Sequence, residues 1–243
     1  MRKKITFAYD GTMFNGYQKQ PNLRTIEEEL ERALFNINNH KYTDVVASGR
    51  TDRGVHALAQ CAHFDIDVDI TLYKLKCALN SLLPSDISVL STEDVDNNFH
   101  ARYMVNKKIY RYILNMGEYN PIKRNYEFQY NRRLDVEKIK DAIKLLKGKH
   151  DFKSFVSEEA KKESYVRTIF KATVKECDNK LIFEFTGSGF GKYQIRSMVG
   201  TLVRIGEGKL DINYIRDLLN LSVSKNKVYT IGAEGLYLVR VIY

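Results

Sequence analysis

The sequence predicts an α+β fold made of two sheet-and-helix halves. Strand-like and helix-like segments alternate along all 243 residues, and hairpin signals between neighbouring strands favour antiparallel pairing. Composition agrees with this: at 44% apolar and 28% charged residues the chain can bury one large core or two ordinary ones, which excludes disorder over most of its length. Three prolines, no low-complexity tract and no internal repeat leave few places for a linker, so element order alone sets the boundary. It divides the chain into an N-terminal half, residues 1–105, and a C-terminal half, residues 106–243, with a central cleft expected between them as the natural ligand site.

Residues 4–9 alternate polar and apolar side chains as a strand does, and Asp10-Gly11 ends the run. Thr25-Ile-Glu-Glu has the form of a capping box, after which Ile26, Leu30, Ala33, Leu34 and Ile37 share one helical face. A short strand over 44–48, a turn-rich loop over 49–54 and a strand over 60–66 follow. Leu72, Leu75, Leu79 and Leu82 mark a second helix that Pro84, which cannot continue a helical hydrogen-bond ladder, brings to a stop before a strand at 87–90.

In the second half 109–114 alternates as a strand, and Val136, Ile139, Ile143 and Leu146 stripe a Lys-rich helix closed by Gly148. Strands over 167–177 and 180–186 are joined by Asp178-Asn179, residue types that tolerate the left-handed backbone of a two-residue hairpin. Helices over 193–205 and 211–219 and a strand over 236–242 complete the chain.

No apolar run approaches the roughly 18–20 residues of a bilayer span, and Met1-Arg-Lys-Lys meets charge before any signal-peptide core, so a cytoplasmic protein without membrane contact is expected. Cys61, Cys77 and Cys177 are widely spaced, which argues against a disulfide framework and a zinc ribbon. His63, His100 and His150 lie in no metal-ligand spacing and read as structural. Thirty-nine Lys and Arg against thirty Asp and Glu give a net charge of +9, which favours a polyanionic partner and places nucleic acid first, beside the plainer reading of a moderately basic enzyme.

The densest polar loop is Gly49-Arg50-Thr51-Asp52-Arg53-Gly54-Val55-His56. A carboxylate between two guanidinium groups is favoured in its ionised form, and glycines at both ends permit backbone conformations that present it to a substrate. The competing reading is a solvated surface turn. Larger context decides between them, because the chain resembles the tRNA pseudouridine synthase A family from end to end. Tyr9-Asp-Gly-Thr12 with Phe14-Asn-Gly-Tyr-Gln18, the Asp52 loop through Ala57, Leu83-Pro-Ser-Asp-Ile87, Phe99-His-Ala-Arg102, Lys108-Ile-Tyr-Arg-Tyr112, His150-Asp-Phe152, Gln194-Ile-Arg-Ser-Met-Val-Gly-Thr201 and Gly235-Leu-Tyr-Leu238 resemble its motifs in order.

That resemblance implies the pseudouridine synthase fold and an isomerase acting on uridines 38, 39 and 40 of the tRNA anticodon stem-loop, with Asp52 as catalytic residue and no cofactor or metal. Arg196 resembles the basic residue that pairs with the aspartate, Tyr110 the active-site tyrosine, and Arg50 the loop arginine that helps hold RNA while the uridine is extruded. Arg53, His56, Arg102, Lys107, Lys108 and Arg111 are expected phosphate contacts, tRNA the partner and a homodimer the assembly. For the helix bearing Lys138, Lys140, Lys144 and Lys147 a solvated charged face is the preferred reading, and Tyr112 is left as a structural residue.

Where relatives usually carry Gly-Phe-Leu and a Met-Val-Arg run, this chain has Gly189-Phe-Gly-Lys-Tyr-Gln-Ile-Arg196, so Gly191 and Gln194 exchange apolar bulk for flexibility and polarity. Two alternatives accompany the main reading: a paralogue acting on another structured RNA such as ribosomal RNA, and a non-catalytic RNA-binding module. A glycosidic hydrolase ranks below them, since no second acid is placed to partner Asp52.

Overall fold

A computed structural model describes residues 1–157, 164–221 and 228–243. Two compact units emerge, one formed by Met1–Asn106 with Tyr237–Tyr243, the other by Lys107–Leu236. The first begins with β1 (Arg2–Tyr9), α1 (Ile26–Ile37), β2 (Val46–Ala47), β3 (His56–Asp65), α2 (Leu72–Leu82) and β4 (Ile87–Asp94). β1 lies between β3 and β4 and is antiparallel to both, and β2 adds to β3 through Val46 and Ala47. Burial along β1 alternates residue by residue, so Ile5, Phe7 and Tyr9 enter the core with Leu30, Leu34, Phe64, Leu75 and Leu79. Lys3 is buried on that same face, and its ammonium is held by Asp94 directly across the β1–β4 register.

The capping box does not form. Thr25 occupies the N-cap position with extended backbone, yet its hydroxyl is buried without a hydrogen-bond partner. Main-chain carbonyls serve the helix start instead: the Ile26 amide donates to Gly16 O (3.4 Å) and the Glu27 amide to Tyr17 O (3.0 Å). At α2 the Thr71 hydroxyl does cap, accepting the Lys74 amide at 3.3 Å.

The second unit comprises β5 (Lys107–Asn115), β6 (Phe128–Gln129), α3 (Val136–Lys144), β7 (Gly148–Asp151), a 3-10 turn (Lys153–Phe155), β8 (Val166–Cys177), β9 (Lys180–Gly187), α4 (Gln194–Gly206) and α5 (Asn213–Leu219). Its strands run in the order β5-β9-β8-β7, all antiparallel, with two-residue β6 parallel to β5. Asp178 and Asn179 take φ of 49° and 61°, the paired left-handed conformation the hairpin between β8 and β9 requires. α4 is the most buried helix described, and Ile195, Met198, Val199, Leu202 and Val203 fill the core beside Phe183 and Phe185. On α3 the lysines are matched by acids one turn away, Lys138 with Asp135, Lys140 with Glu137 and Lys144 with Asp141, which agrees with a solvated face.

β10 (Leu236–Ile242) ends the chain in the first unit rather than beside the segment it follows. It pairs in parallel with the start of β3, Tyr237 opposite His56 and Leu238 opposite Ala57. Among the described residues no helix is long and apolar enough to cross a membrane, and no group of three His, Cys, Asp or Glu is placed to hold a metal ion.

His63 on β3 is buried, and its Nδ1 accepts the Ala101 amide at 3.1 Å. Burial, and then the charge of Arg2 and His100, hold its pKa below the ordinary imidazole value, with Asp65 and Asp44 opposing. The unfolded chain therefore binds this proton more readily than the folded one, and folding stability contributed here is lost as pH falls through about 6.5. Thermal melts of wild type and His63→Gln between about pH 8 and 5 should show a smaller acid-side decline for the variant; parallel curves would remove His63 from the account.

Candidate active site

Asp52 sits half-buried between exposed Arg50 and Arg53, in a loop that β3 follows. The loop is held from beneath by the chain that leaves β1. The Tyr17 amide donates to Thr51 O (3.1 Å), and the Tyr9 hydroxyl shares a 2.8 Å hydrogen bond with the Thr51 hydroxyl. Within the loop the Val55 amide donates to Asp52 O at 3.2 Å, closing a tight turn over Asp52, Arg53 and Gly54, the last with φ +78°. Burial pushes the Tyr9 phenol up to about 12, against the hydrogen bonds of Thr51 and Gln60, so it remains a neutral hydroxyl at physiological pH.

Two glycines make this approach possible. A Cβ at Gly11 would lie 2.0 Å from Val55 O, and one at Gly16, where φ is +91°, would lie 3.0 Å from Thr51 O. Any side chain at either place would push the loop away, and at Gly16 it would also carry left-handed strain. The segment is itself anchored at its far end: Arg24 forms a two-point pair with Asp86 (2.7 and 2.9 Å) and stacks over Phe14 at 4.1 Å.

His56, expected as a phosphate contact, is instead a buttress. Only 2% of it is exposed, its ring stacks on Tyr237 at 4.8 Å, and its Nδ1 accepts the Gly11 amide at 3.1 Å. Asp10 Oδ1 also approaches Nδ1 at 3.2 Å. Arg111 is partly exposed, its guanidinium facing Glu184 at 3.4 Å while its Nε is buried without a hydrogen-bond partner. Arg102 and Lys107 are exposed, with Lys107 over the Phe170 ring at 5.1 Å, and Lys108 is half-buried.

In the second unit Tyr110 lies on β5 opposite Phe185, largely buried, with Phe190 edge-on to its ring at 5.3 Å. Tyr112 is wholly buried and donates its hydroxyl to Gly232 O (2.8 Å); burial drives its phenol well above the ordinary tyrosine value, consistent with a structural role. Arg196 stands in the first turn of α4. Its Nε donates to Ile231 O at 2.8 Å, and the Ile231 amide returns a bond to Arg196 O at 3.4 Å.

The two departures from the usual motif are linked through space and backbone. A side chain at residue 191 would collide with Val156, whose Cγ2 lies 2.5 Å from the position of a Cβ. The buried Gln194 carboxamide accepts the Gly191 amide at 2.8 Å, which ties the loop after β9 to the start of α4, while its Nε2 has no hydrogen-bond partner.

The carboxylate loop and the α4 arginine belong to a chain whose sequence matches a family model described as tRNA pseudouridine synthase, over residues 5–104 and 142–243. The chain is 46% identical to the tRNA pseudouridine synthase A of Limosilactobacillus reuteri, covering 100% of this chain and 96% of that one. It is 41% identical to the enzyme of that name from Streptococcus mutans, covering 100% and 99%, and 44% identical to that from Levilactobacillus brevis, covering 100% and 93%.

Gly16→Ala tests the clamp. Left-handed strain and contact with Thr51 O together should lower stability by about 1–3 kcal/mol in urea unfolding. Gly208→Ala is the control, since φ is +72° there and nothing lies within 4 Å of an added Cβ. A larger loss at Gly16 than at Gly208 is expected, and equal losses would show that the loop contact contributes nothing.

Proposed function

The chain belongs to the tRNA pseudouridine synthase family, and from that premise we propose that it converts uridine to pseudouridine in tRNA with Asp52 as the catalytic carboxylate. The observation that supports Asp52 most is the clamp beneath it: a half-buried carboxylate in an irregular loop whose backbone is fixed by Tyr9, Gly11, Gly16 and Tyr17. Preorganisation of this kind suits a group that must meet one ribose carbon in one direction.

The reaction breaks the C1′–N1 bond, turns the uracil and forms a C1′–C5 bond, with the C5 hydrogen leaving to water and N1 ending protonated. Nothing is gained or lost overall, so the chemistry needs a nucleophile or base and a pocket that keeps the detached uracil in place. An ionised Asp52 can serve by adding to C1′ or by taking the C2′ proton. Tyr110 is proposed to face the uracil with its ring, Arg196 to direct the carboxylate chemistry as a fixed cation, and Arg50 to hold the extruded nucleotide's neighbours.

The targets within this reading are uridines 38, 39 and 40 of the anticodon stem-loop, reached by a cytoplasmic homodimer, and both details rest on family membership. Arg53, Arg102, Lys107, Lys108 and Arg111 remain as proposed phosphate contacts on the RNA side, whereas buried His56 is committed to Gly11. One enzyme that serves several tRNAs must read shape and phosphate position, because A-form grooves hide the base edges.

Asp52→Ala should abolish tritium release from C5-labelled uridine in a tRNA transcript while its tRNA affinity stays within about threefold of wild type; retained turnover would refute the assignment. From the net charge of +9, wild-type tRNA affinity should fall at least about tenfold between roughly 50 and 200 mM salt in a filter-binding titration. A flat salt response would contradict phosphate-led docking.

A further inference from the structure

Tyr193 occupies a position that its residue type does not favour. It is the N-cap of α4, with φ +66° and ψ −3°, and its side chain makes no capping hydrogen bond. Left-handed backbone suits glycine or asparagine, and for an aromatic residue it carries strain that other contacts must offset. What the ring does contact is charge. The Arg196 guanidinium carbon lies 4.9 Å from the ring centroid and the Lys192 ammonium 5.1 Å.

Arg196 is thereby gripped from two directions. Backbone hydrogen bonds with Ile231 hold its Nε and its own carbonyl, the neighbouring Ser197 hydroxyl bonds to Thr230 at 3.0 Å, and the Tyr193 ring covers the guanidinium. A long flexible side chain loses much of its rotamer freedom under such a grip before any RNA arrives. With this left-handed turn at residue 193, the ring one residue before the helix lies against a side chain in its first turn.

We propose that Tyr193 is a positioning residue for Arg196: its ring, held by the left-handed turn at the head of α4, sets the direction in which the guanidinium acts during uridine isomerisation. The proposal rests on the reading of Arg196 as an active-site residue. It requires the aromatic face and not the hydroxyl, and it assigns Tyr193 an effect on turnover rather than on RNA affinity.

The test is steady-state tritium release from C5-labelled tRNA with the full chain, comparing wild type, Tyr193→Phe, Tyr193→Asn, Arg196→Ala and the Tyr193→Asn/Arg196→Ala double variant. Phenylalanine keeps the ring and should leave kcat within about twofold. Asparagine accepts the left-handed backbone but has no ring; it should lower kcat about tenfold with KM within about twofold and Tm undiminished. In the Arg196→Ala background the asparagine change should add no further loss, the signature of action through the arginine.

Unchanged kcat in Tyr193→Asn, a loss carried by KM, or an additive loss in the double variant would overturn the proposal. Undiminished turnover in Arg196→Ala would overturn the active-site reading of Arg196 as well, whereas loss in Arg196→Ala with none in Tyr193→Asn would overturn the positioning role alone.

Discussion

Backbone meets backbone where the chain leaving β1 passes under the Asp52 loop, and the rest of the first unit is arranged to keep that contact. Gly11 lies against Val55 closer than any residue with a Cβ could come, and Gly16, at positive φ, lies against Thr51 where a Cβ would be tight. A loop of this kind has no ladder of its own and would otherwise sample many conformations, at a cost of about 1–2 kcal/mol for each residue ordered on binding. Here the cost is met during folding. The Tyr17 amide and the Tyr9 hydroxyl bond to Thr51, and the Gly16 and Tyr17 carbonyls in turn receive the first amides of α1. Helix α1, the glycine segment and the carboxylate loop are thus consecutive links in one hydrogen-bonded series.

The second unit fixes its cation by similar means. Arg196 rises from the first turn of the most buried helix described, and the main chain of Ile231 locks it in both directions. The preceding loop is secured by the Gln194 carboxamide on Gly191, in a space that Val156 fills because residue 191 has no side chain. The exchange therefore belongs to the loop that carries Phe190, whose ring lies edge-on to Tyr110.

Most of the regular structure was legible from periodicity and turn chemistry. β1 shows its alternation in sequence, α2 its leucine stripe and proline stop, and the β8–β9 hairpin its Asp178-Asn179 pair. What escaped depends on partners distant in sequence. Alternation identifies Leu236–Ile242 as a strand but carries no information on which strand it joins, so chain order placed it with the second half while hydrogen bonds to His56 and Ala57 return it to the first unit. β6, with two residues, is too short to show a period, and at the start of α1 the Ile26 and Glu27 amides go to the distant Gly16 and Tyr17 carbonyls while Thr25 makes no cap.

The site was readable to a similar depth. The composition of the Asp52 loop marked where a poised carboxylate could be, whereas the glycines that clamp it stood in the opening motif without an assigned role. His56 looked like a phosphate ligand because a basic residue beside a polar loop has no sequence mark that separates buttress from contact; its burial and its partner Gly11 make the distinction. Tyr193 gave no signal either, since left-handed backbone at an aromatic residue becomes visible only in three dimensions. The central claim, that this scaffold serves uridine isomerisation in tRNA, is tested most directly by tritium release with the wild-type chain, offering an unmodified C5-labelled tRNA transcript and a ribosomal RNA fragment side by side. Release from the tRNA alone is the predicted result; release from the ribosomal fragment alone, or from neither, would contradict it.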